Sequence, residues 1–405
     1  MFVLIMYKKI FIALIFSTIF SFSLAQSFFE KDTFPKDIRV GAELMERYLP
    51  ILQGQKVALC VNHTSMVGQK HLLDTLLSMH INVVKIFCPE HGFRGKEEAG
   101  KHINNSIDQQ TNIPIVSLYG NNKKPTNKQL EDVDIIVFDI QDVGARFYTY
   151  ISTLSYIMEA AAENNVVVIV FDRPNPNGYW VDGPILDTNY RSFVGMHAVP
   201  INHGMTIAEY ARMVNEEGWL AQRQKCQLLW VKMEGYDHSM RYQLPISPSP
   251  NLSSMEAIYL YPTLCLLEGT NMSLGRGTSN PFTMYGAPDY KKGDWFFTPK
   301  NIENIATNPP YVNKKCRGEN LLSYCNKYLK YNNKIDIQLI IDAYKYSSDS
   351  TTFFVSFFTK LAGSPLLEKQ IKLGMSAEDI RKCWQNDLQI FKQKRKKYLL
   401  YKDFE

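Results

Sequence analysis

Through its first half the chain alternates short apolar runs with stretches whose apolar residues recur at helical spacing. Val40 to Leu49 (VGAELMERYL) has that spacing, and Leu52-Gln53-Gly54-Gln55 is a turn into a strand-like run from Lys56 to Val61, which ends in Asn62-His63-Thr64-Ser65. His71 to Met79 reads as a helix, Val83 to Cys88 as a strand, and Ile113 to Leu118 as a third strand ending at Tyr119. Leu130 to Val133 closes a short helix before a strand from Ile135 to Ile140. Ser152 to Glu163 is a helix feeding Val166 to Phe171, the most β-branched run in the chain. Thr206 to Leu220 reads as a helix and Cys226 to Met233 as a further strand of the same sheet. Strand, helix, strand at these intervals predicts an α/β fold of βαβ units, with a parallel sheet and right-handed crossovers.

Each strand run ends in polar residues, and in open α/β sheets ligands bind at the carboxyl ends of the strands. The sharpest case is Val83 to Gly95 (VVKIFCPEHGFRG), interrupted only by Lys85, which ends in Glu90, His91 and Arg94. The other strands deliver Asn62, Tyr119, Asp139 and Asp172 to the same edge. Glu90 with His91 reads as a general acid or base tuned by its neighbour, or as an ion pair of Glu90 with Arg94 that ties down the turn. Asp139, Gln141, Asp142 and Arg146 form a second cluster (FDIQDVGARFYTY), to which Tyr148 and Tyr150 add rings. Carboxylates, amides and rings together suit a sugar, whose hydroxyls need polar partners and whose C–H faces stack on aromatics. The alternative for Asp142 is a helix N-cap. Arg173 at the next strand end is a carboxylate clamp or a partner of Asp172. Arg276, in Gly275-Arg276-Gly277-Thr278, and Glu268 are candidates reaching the cleft from the other half of the chain.

A length of 405 residues exceeds the about 250 to 300 at which single cores stop growing, so two domains are expected. Leu244 to Asn251 (LPISPSPN) is the boundary, because three prolines in eight residues continue neither helix nor strand. The division is then 1–25, 26–245 and 246–405. Ile258 to Leu267 opens the second domain, and Ile337 to Tyr346, Phe353 to Leu361 and Ser376 to Tyr398 read as a strand followed by mostly helical elements.

Composition adds a compartment. Lys8 and Lys9 precede an apolar run from Ile10 to about Phe22, followed by Ser23-Leu24-Ala25, the pattern of a secretory signal cut after Ala25. That run is shorter than the roughly 20 residues that span a bilayer, so the expected mature protein is exported, periplasmic and without a membrane span. The charge of +5, or +3 without Lys8 and Lys9, argues for no particular partner, and the basic run Lys392 to Lys397 (KQKRKK) reads as a solvated helix face rather than a nucleic-acid site. Of the 7 cysteines, only Cys316 and Cys325 stand close enough in sequence to suggest a bridge, and no cysteine or histidine spacing suits a structural metal. No G-x-G-x-x-G follows the first strand, and there is no P-loop and no G-x-S-x-G elbow, so carboxylate chemistry without a cofactor remains.

The stretches CVNHTS, FCPEHGFRG, FDIQDVGARFYTYISTL, VFDRPNPNG, VDGPILD, FVGMHAVPINHGMTIAE, SPSPNL, YLYPTLCLLEGTNMSLGRGTSNPF and KLAGSPLLEKQI resemble the exo-β-N-acetylmuramidase family over essentially the whole chain after the signal. The resemblance implies a Rossmann-like, doubly wound, mostly parallel sheet with a second, smaller α/β domain and an active site between them. It implies a glycoside hydrolase that releases N-acetylmuramic acid from the non-reducing end of peptidoglycan fragments, with Glu90 as the leading catalytic residue. His63 stands where the family pattern has Gln. Glycosidases commonly pair two carboxyl groups, and a 2-acetamido sugar can supply its own nucleophile. Asp139 is the expected second carboxylate, with Asp172 and Glu268 behind it. Arg94, Arg146, Arg173 or Arg276 would hold the lactyl carboxylate of muramic acid. The competing class is a periplasmic sugar-binding protein, which needs rings and arginines but no catalytic acid.

Overall fold

Parallel strands β1 (Val57–Val61), β2 (Val83–Cys88), β3 (Pro114–Ser117), β4 (Ile135–Asp139), β5 (Val167–Phe171) and β6 (Gln227–Val231) lie in the order β3-β2-β1-β4-β5-β6. Ser106–Ile107 adds a short antiparallel strand outside β3. The structure, a computed structural model, describes residues 38–89, 93, 106–331 and 333–405. The order is that of a doubly wound sheet, whose direction of winding reverses between β1 and β4.

The β-branched runs are buried on both faces, as a parallel sheet requires. Val57, Leu59, Val61, Ile135, Val137, Ile169 and Phe171 face one core with α1 (Met45–Leu52) and α2 (Leu72–Ser78). Their alternates Ala58, Cys60, Ile136, Phe138, Val168 and Val170 face the other core with α3 (Tyr150–Asn164) and α4 (Ile207–Glu216). This second core runs on without a break into the C-terminal part of the chain, through Ile258, Leu264, Tyr285, Ile340, Phe358 and Phe391. That part holds α5 (Met255–Leu264), an antiparallel sheet of β7 (Met284–Ala287), β8 (Trp295–Phe297) and β9 (Cys316–Asn320) in the order β7-β9-β8, and α6 (Ile337–Lys345), α7 (Ser356–Ala362) and α8 (Gln385–Lys396). The fold is therefore an α/β sheet with a smaller second domain.

Three expectations need correction. Ile337 to Tyr346 is the helix α6 and not a strand: Asp336 accepts hydrogen bonds from the amides of Gln338 and Leu339, and the buried Ile337, Ile340 and Ala343 recur at helical spacing. Cys316 and Cys325 are free, buried thiols, one on β9 and the other on the helix that follows. The basic run is not wholly solvated, because Arg395 is fully buried, donates Nε and Nη2 to the Gly204 carbonyl and donates Nη1 to both carboxylate oxygens of Asp403. Among the described residues no helix is long and apolar enough to cross a membrane.

Candidate functional site

The crevice between the carboxyl ends of β1 and β4 is the natural ligand position in such a sheet, yet here the protein's own polar groups fill it. Asn62 Oδ1 accepts from the Thr64 amide and hydroxyl, and its Nδ2 donates to Tyr150 Oη at 3.1 Å. Thr64 Oγ1 in turn accepts from the Gln141 amide, and the Ser65 hydroxyl donates to the Asp139 carbonyl. The proline-rich segment docks on top: the hydroxyls of Tyr148 and Tyr150 donate to the Pro248 carbonyl at 3.0 and 3.3 Å, and His63 Nε2 meets the Ser247 carbonyl at 2.8 Å. Leu244 to Asn251 is thus a cover over the strand ends, which leaves a cavity of about 100 Å³ beside Thr64, Gln141 and Arg173 and a larger space toward Tyr119.

That larger space is a cavity of about 230 Å³. Its sheet side is Tyr119 beyond β3 and Phe147, Tyr148, Thr149 and Tyr150 beyond β4; its far side is Asn251, Tyr261, Glu268, Arg276, Phe282 and Phe357. Among the described residues, Glu268 is the one carboxylate and Arg276 the one guanidinium of the lining. Arg276 Nε and Nη2 approach Glu268 Oε1 at 2.8 and 2.7 Å, the Cys265 thiol lies 3.5 Å from Oε2, and the guanidinium stacks over the Phe282 ring at 4.9 Å. The pair keeps about a quarter of its side-chain surface exposed, in contrast to the buried polar network beneath it. Rings interspersed with polar groups such as Asn251 and Ser249 and one ionic pair are a lining that suits a sugar.

The family model for the N-terminal domain of exo-beta-N-acetylmuramidase NamZ matches residues 57–256, and that for its C-terminal domain matches 259–401. The chain belongs to the NamZ family. It is 38% identical over 377 residues to the peptidoglycan beta-N-acetylmuramidase NamZ of Bacillus subtilis, covering 88% of this chain and 90% of that one. Two solved DUF1343 family proteins of Bacteroides fragilis share its structure. One has 46% identity and a TM-score of 0.83, over 91% of this chain and all of that one; the other has 30% identity and a TM-score of 0.74, over 90% and 99%.

Within this NamZ-family chain the expected site residues separate into groups. Tyr148, Glu268 and Arg276 line the cavity. Asn62 lies behind Tyr150, and Gln141 lies in the buried layer, its Nε2 bound to the carbonyls of Asp142 and Pro174. Asp139 is fully buried, and Arg173 takes both its carboxylate oxygens, at 2.5 and 2.9 Å. It therefore stands apart from the cavity that it was expected to serve. Arg146 is also buried and donates to the carbonyls of Pro184, Val199 and Leu361, which makes it a tie between β4's loop and α7. Asp172 is a buried acceptor for the Thr206 and Tyr401 hydroxyls and the Ala208 amide, holding α4 and the C-terminal tail to the sheet. Glu90, His91 and Arg94 lie outside the described residues. Sequence reasoning passed over Asn251, Tyr261 and Phe282, whose only signal is that they fall in the stretches that carry the family resemblance, and Phe357, which falls in none of them.

Gly269, the neighbour of Glu268, shows how tightly this wall is set. A Cβ there would come within 2.3 Å of Phe358 Cα and 2.5 Å of its amide nitrogen on α7. Backbone atoms cannot step aside as a side-chain tip can, so Gly269→Ala is expected to cost about 1–3 kcal/mol and to lower activity by moving Glu268; thermal melts with steady-state kinetics check both. An unchanged melting temperature and rate would show that the wall is loose.

Burial raises two carboxyl groups of this layer, Asp142 and Asp172, from 3.8 to about 7. Between those values the unfolded chain has released protons that the folded chain keeps, so folded stability falls as pH rises from about 4 to 7 and levels off above. Each group contributes at most about 1.4 kcal/mol per pH unit. Asp142 Oδ1 has no partner among the described residues, so a neutral amide is tolerated there. In Asp142→Asn the melting temperature is expected to fall less steeply than in the wild type between pH 5 and 7; parallel curves would refute the assignment.

Proposed function

We propose that this protein is an exo-acting β-N-acetylmuramidase that removes N-acetylmuramic acid from the non-reducing end of peptidoglycan fragments. The observation that carries the reading is the ring-lined cavity at the carboxyl edge of the sheet, with its Glu268–Arg276 pair. Its about 230 Å³ falls just below the roughly 300 to 1,000 Å³ of pockets for drug-sized ligands, a size for one sugar ring rather than a run of them, which suits removal of terminal residues.

In the proposed reaction Glu90, which follows Pro89 at the end of β2, protonates the glycosidic oxygen as it leaves, with His91 beside it in sequence. Glu268 is the second carboxylate in preference to Asp139, because it lines the cavity and Asp139 is taken up by Arg173. It either stabilises the cyclised intermediate formed by the sugar's own acetamido group or directs a water molecule to the anomeric carbon. Tyr119, Tyr148 and Tyr261 supply faces for the ring. The lysine-led apolar run and Ser23-Leu24-Ala25 support export to the periplasm, with loss of residues 1–25.

The test is release of 4-nitrophenol from 4-nitrophenyl β-N-acetylmuramide by the purified protein, with the β-N-acetylglucosaminide as control. Turnover of the muramide in strong preference to the control is expected. A folded protein that binds N-acetylmuramic acid and turns over neither would be a sugar-binding protein.

A further inference from the structure

We propose that Arg276 is the residue that recognises the lactyl carboxylate and so makes the cavity specific for muramic acid over N-acetylglucosamine. This rests on the cavity being the sugar site argued above. Elimination leads there first. Of the four arginines that the sequence offers, three are described: Arg146 is enclosed by three backbone carbonyls, and Arg173 gives Nε and Nη2 to Asp139 and Nη2 also to the Met66 carbonyl. Arg276 alone of the described three reaches the cavity.

Its geometry supplies the rest. A guanidinium presents two edges to carboxylates, one formed by Nε and Nη2 and the other by Nη1 and Nη2. Glu268 occupies the first, through Oε1 alone. Nη1 makes no hydrogen bond with any described residue. The side chain is a quarter exposed, and the Phe282 ring beneath it fixes the plane of the fork. A free edge held in a set plane on a cavity wall is a receptor for a second carboxylate, bound bidentately. Glu268 offsets the guanidinium charge that would otherwise draw in any anion, so binding depends on a carboxylate carried by a group that also fits the rings. N-acetylmuramic acid and N-acetylglucosamine differ by the O-lactyl group, and its carboxylate is what the free edge can read.

The experiment is equilibrium binding of N-acetylmuramic acid and of its methyl ester, by calorimetry, to the wild-type protein, Arg276→Met and Arg276→Lys. The wild type is expected to bind the acid at least about tenfold more tightly than the ester. In Arg276→Met the two affinities are expected to converge. Arg276→Lys keeps a point charge without the fork and is expected to keep part of the preference; its melting curve reports folding independently. A wild type that does not distinguish acid from ester, or a preference that survives in Arg276→Met, overturns the assignment. A wild type that prefers the acid but cleaves no muramide leaves the arginine's role standing and removes the hydrolase reading instead.

Discussion

Glu268→Gln is expected to lower kcat/KM on a β-N-acetylmuramide by about 10²- to 10⁴-fold, the range over which a positioned acid–base group acts. Its melting temperature is expected to stay within about 4 °C of the wild type. The two halves of this prediction have separate causes. Glu268 lines a cavity and is a quarter exposed, so the amide replaces a carboxylate without burying a new unpaired group. The amide oxygen still accepts from Arg276, so the wall keeps its shape. What is lost is the negative charge opposite the developing oxocarbenium centre. A rate within about fivefold of the wild type would move the second carboxylate elsewhere, and steady-state kinetics beside a thermal melt separate the outcomes.

The largest stability effect is expected at the buried pair instead. Arg173→Met leaves the Asp139 carboxylate fully enclosed, with neither of the two Arg173 contacts that now neutralise it. Removing one partner of a buried ion pair costs about 3–5 kcal/mol, against a typical total of about 5–15. The variant should therefore unfold at much lower urea and accumulate poorly in cells. The double variant Asp139→Leu with Arg173→Met removes both charges and is expected to recover most of the loss, because it is the lone charge and not the missing attraction that is costly. A single variant as stable as the wild type would mean that water reaches Asp139, which would return that carboxylate to the candidates for catalysis.

Those two predictions mark where the sequence was readable and where it was not. The strands were legible because each is a short β-branched run between turn residues, and their carboxyl ends were legible because polar residues follow each run at once. β6 joined the sheet as its pattern suggested, beside β5. α6 was misread because isoleucine at its start and middle mimics a strand until the Asp336 cap is considered. The antiparallel sheet of β7, β8 and β9 has little apolar alternation: β9 reads Cys-Arg-Gly-Glu-Asn, so its pairing is set by neighbours distant in sequence. At the site, a strand-end position says that a side chain is near the edge, but not whether it points to solvent or is paired beneath. Asp139, Asp172 and Arg146 share that position with Tyr148, and only their partners separate them. Glu268 and Arg276 carry weaker sequence signals than Asp139, yet both reach the cavity: Glu268 sits on the Cys265–Gly269 turn that packs on α7, and Arg276 is held there by Glu268 and the Phe282 ring.

In the proposed reaction the cavity between Tyr119, Tyr148 and Glu268 holds the terminal sugar. The most direct measurement is a crystal structure of the Glu268→Gln protein with N-acetylmuramic acid. The pyranose ring is expected in this cavity, stacked on a tyrosine, with its carboxylate on the free edge of Arg276. A sugar seated elsewhere, as in the broader groove of about 760 Å³ between Lys334 and Gln385, with this cavity empty, would contradict it.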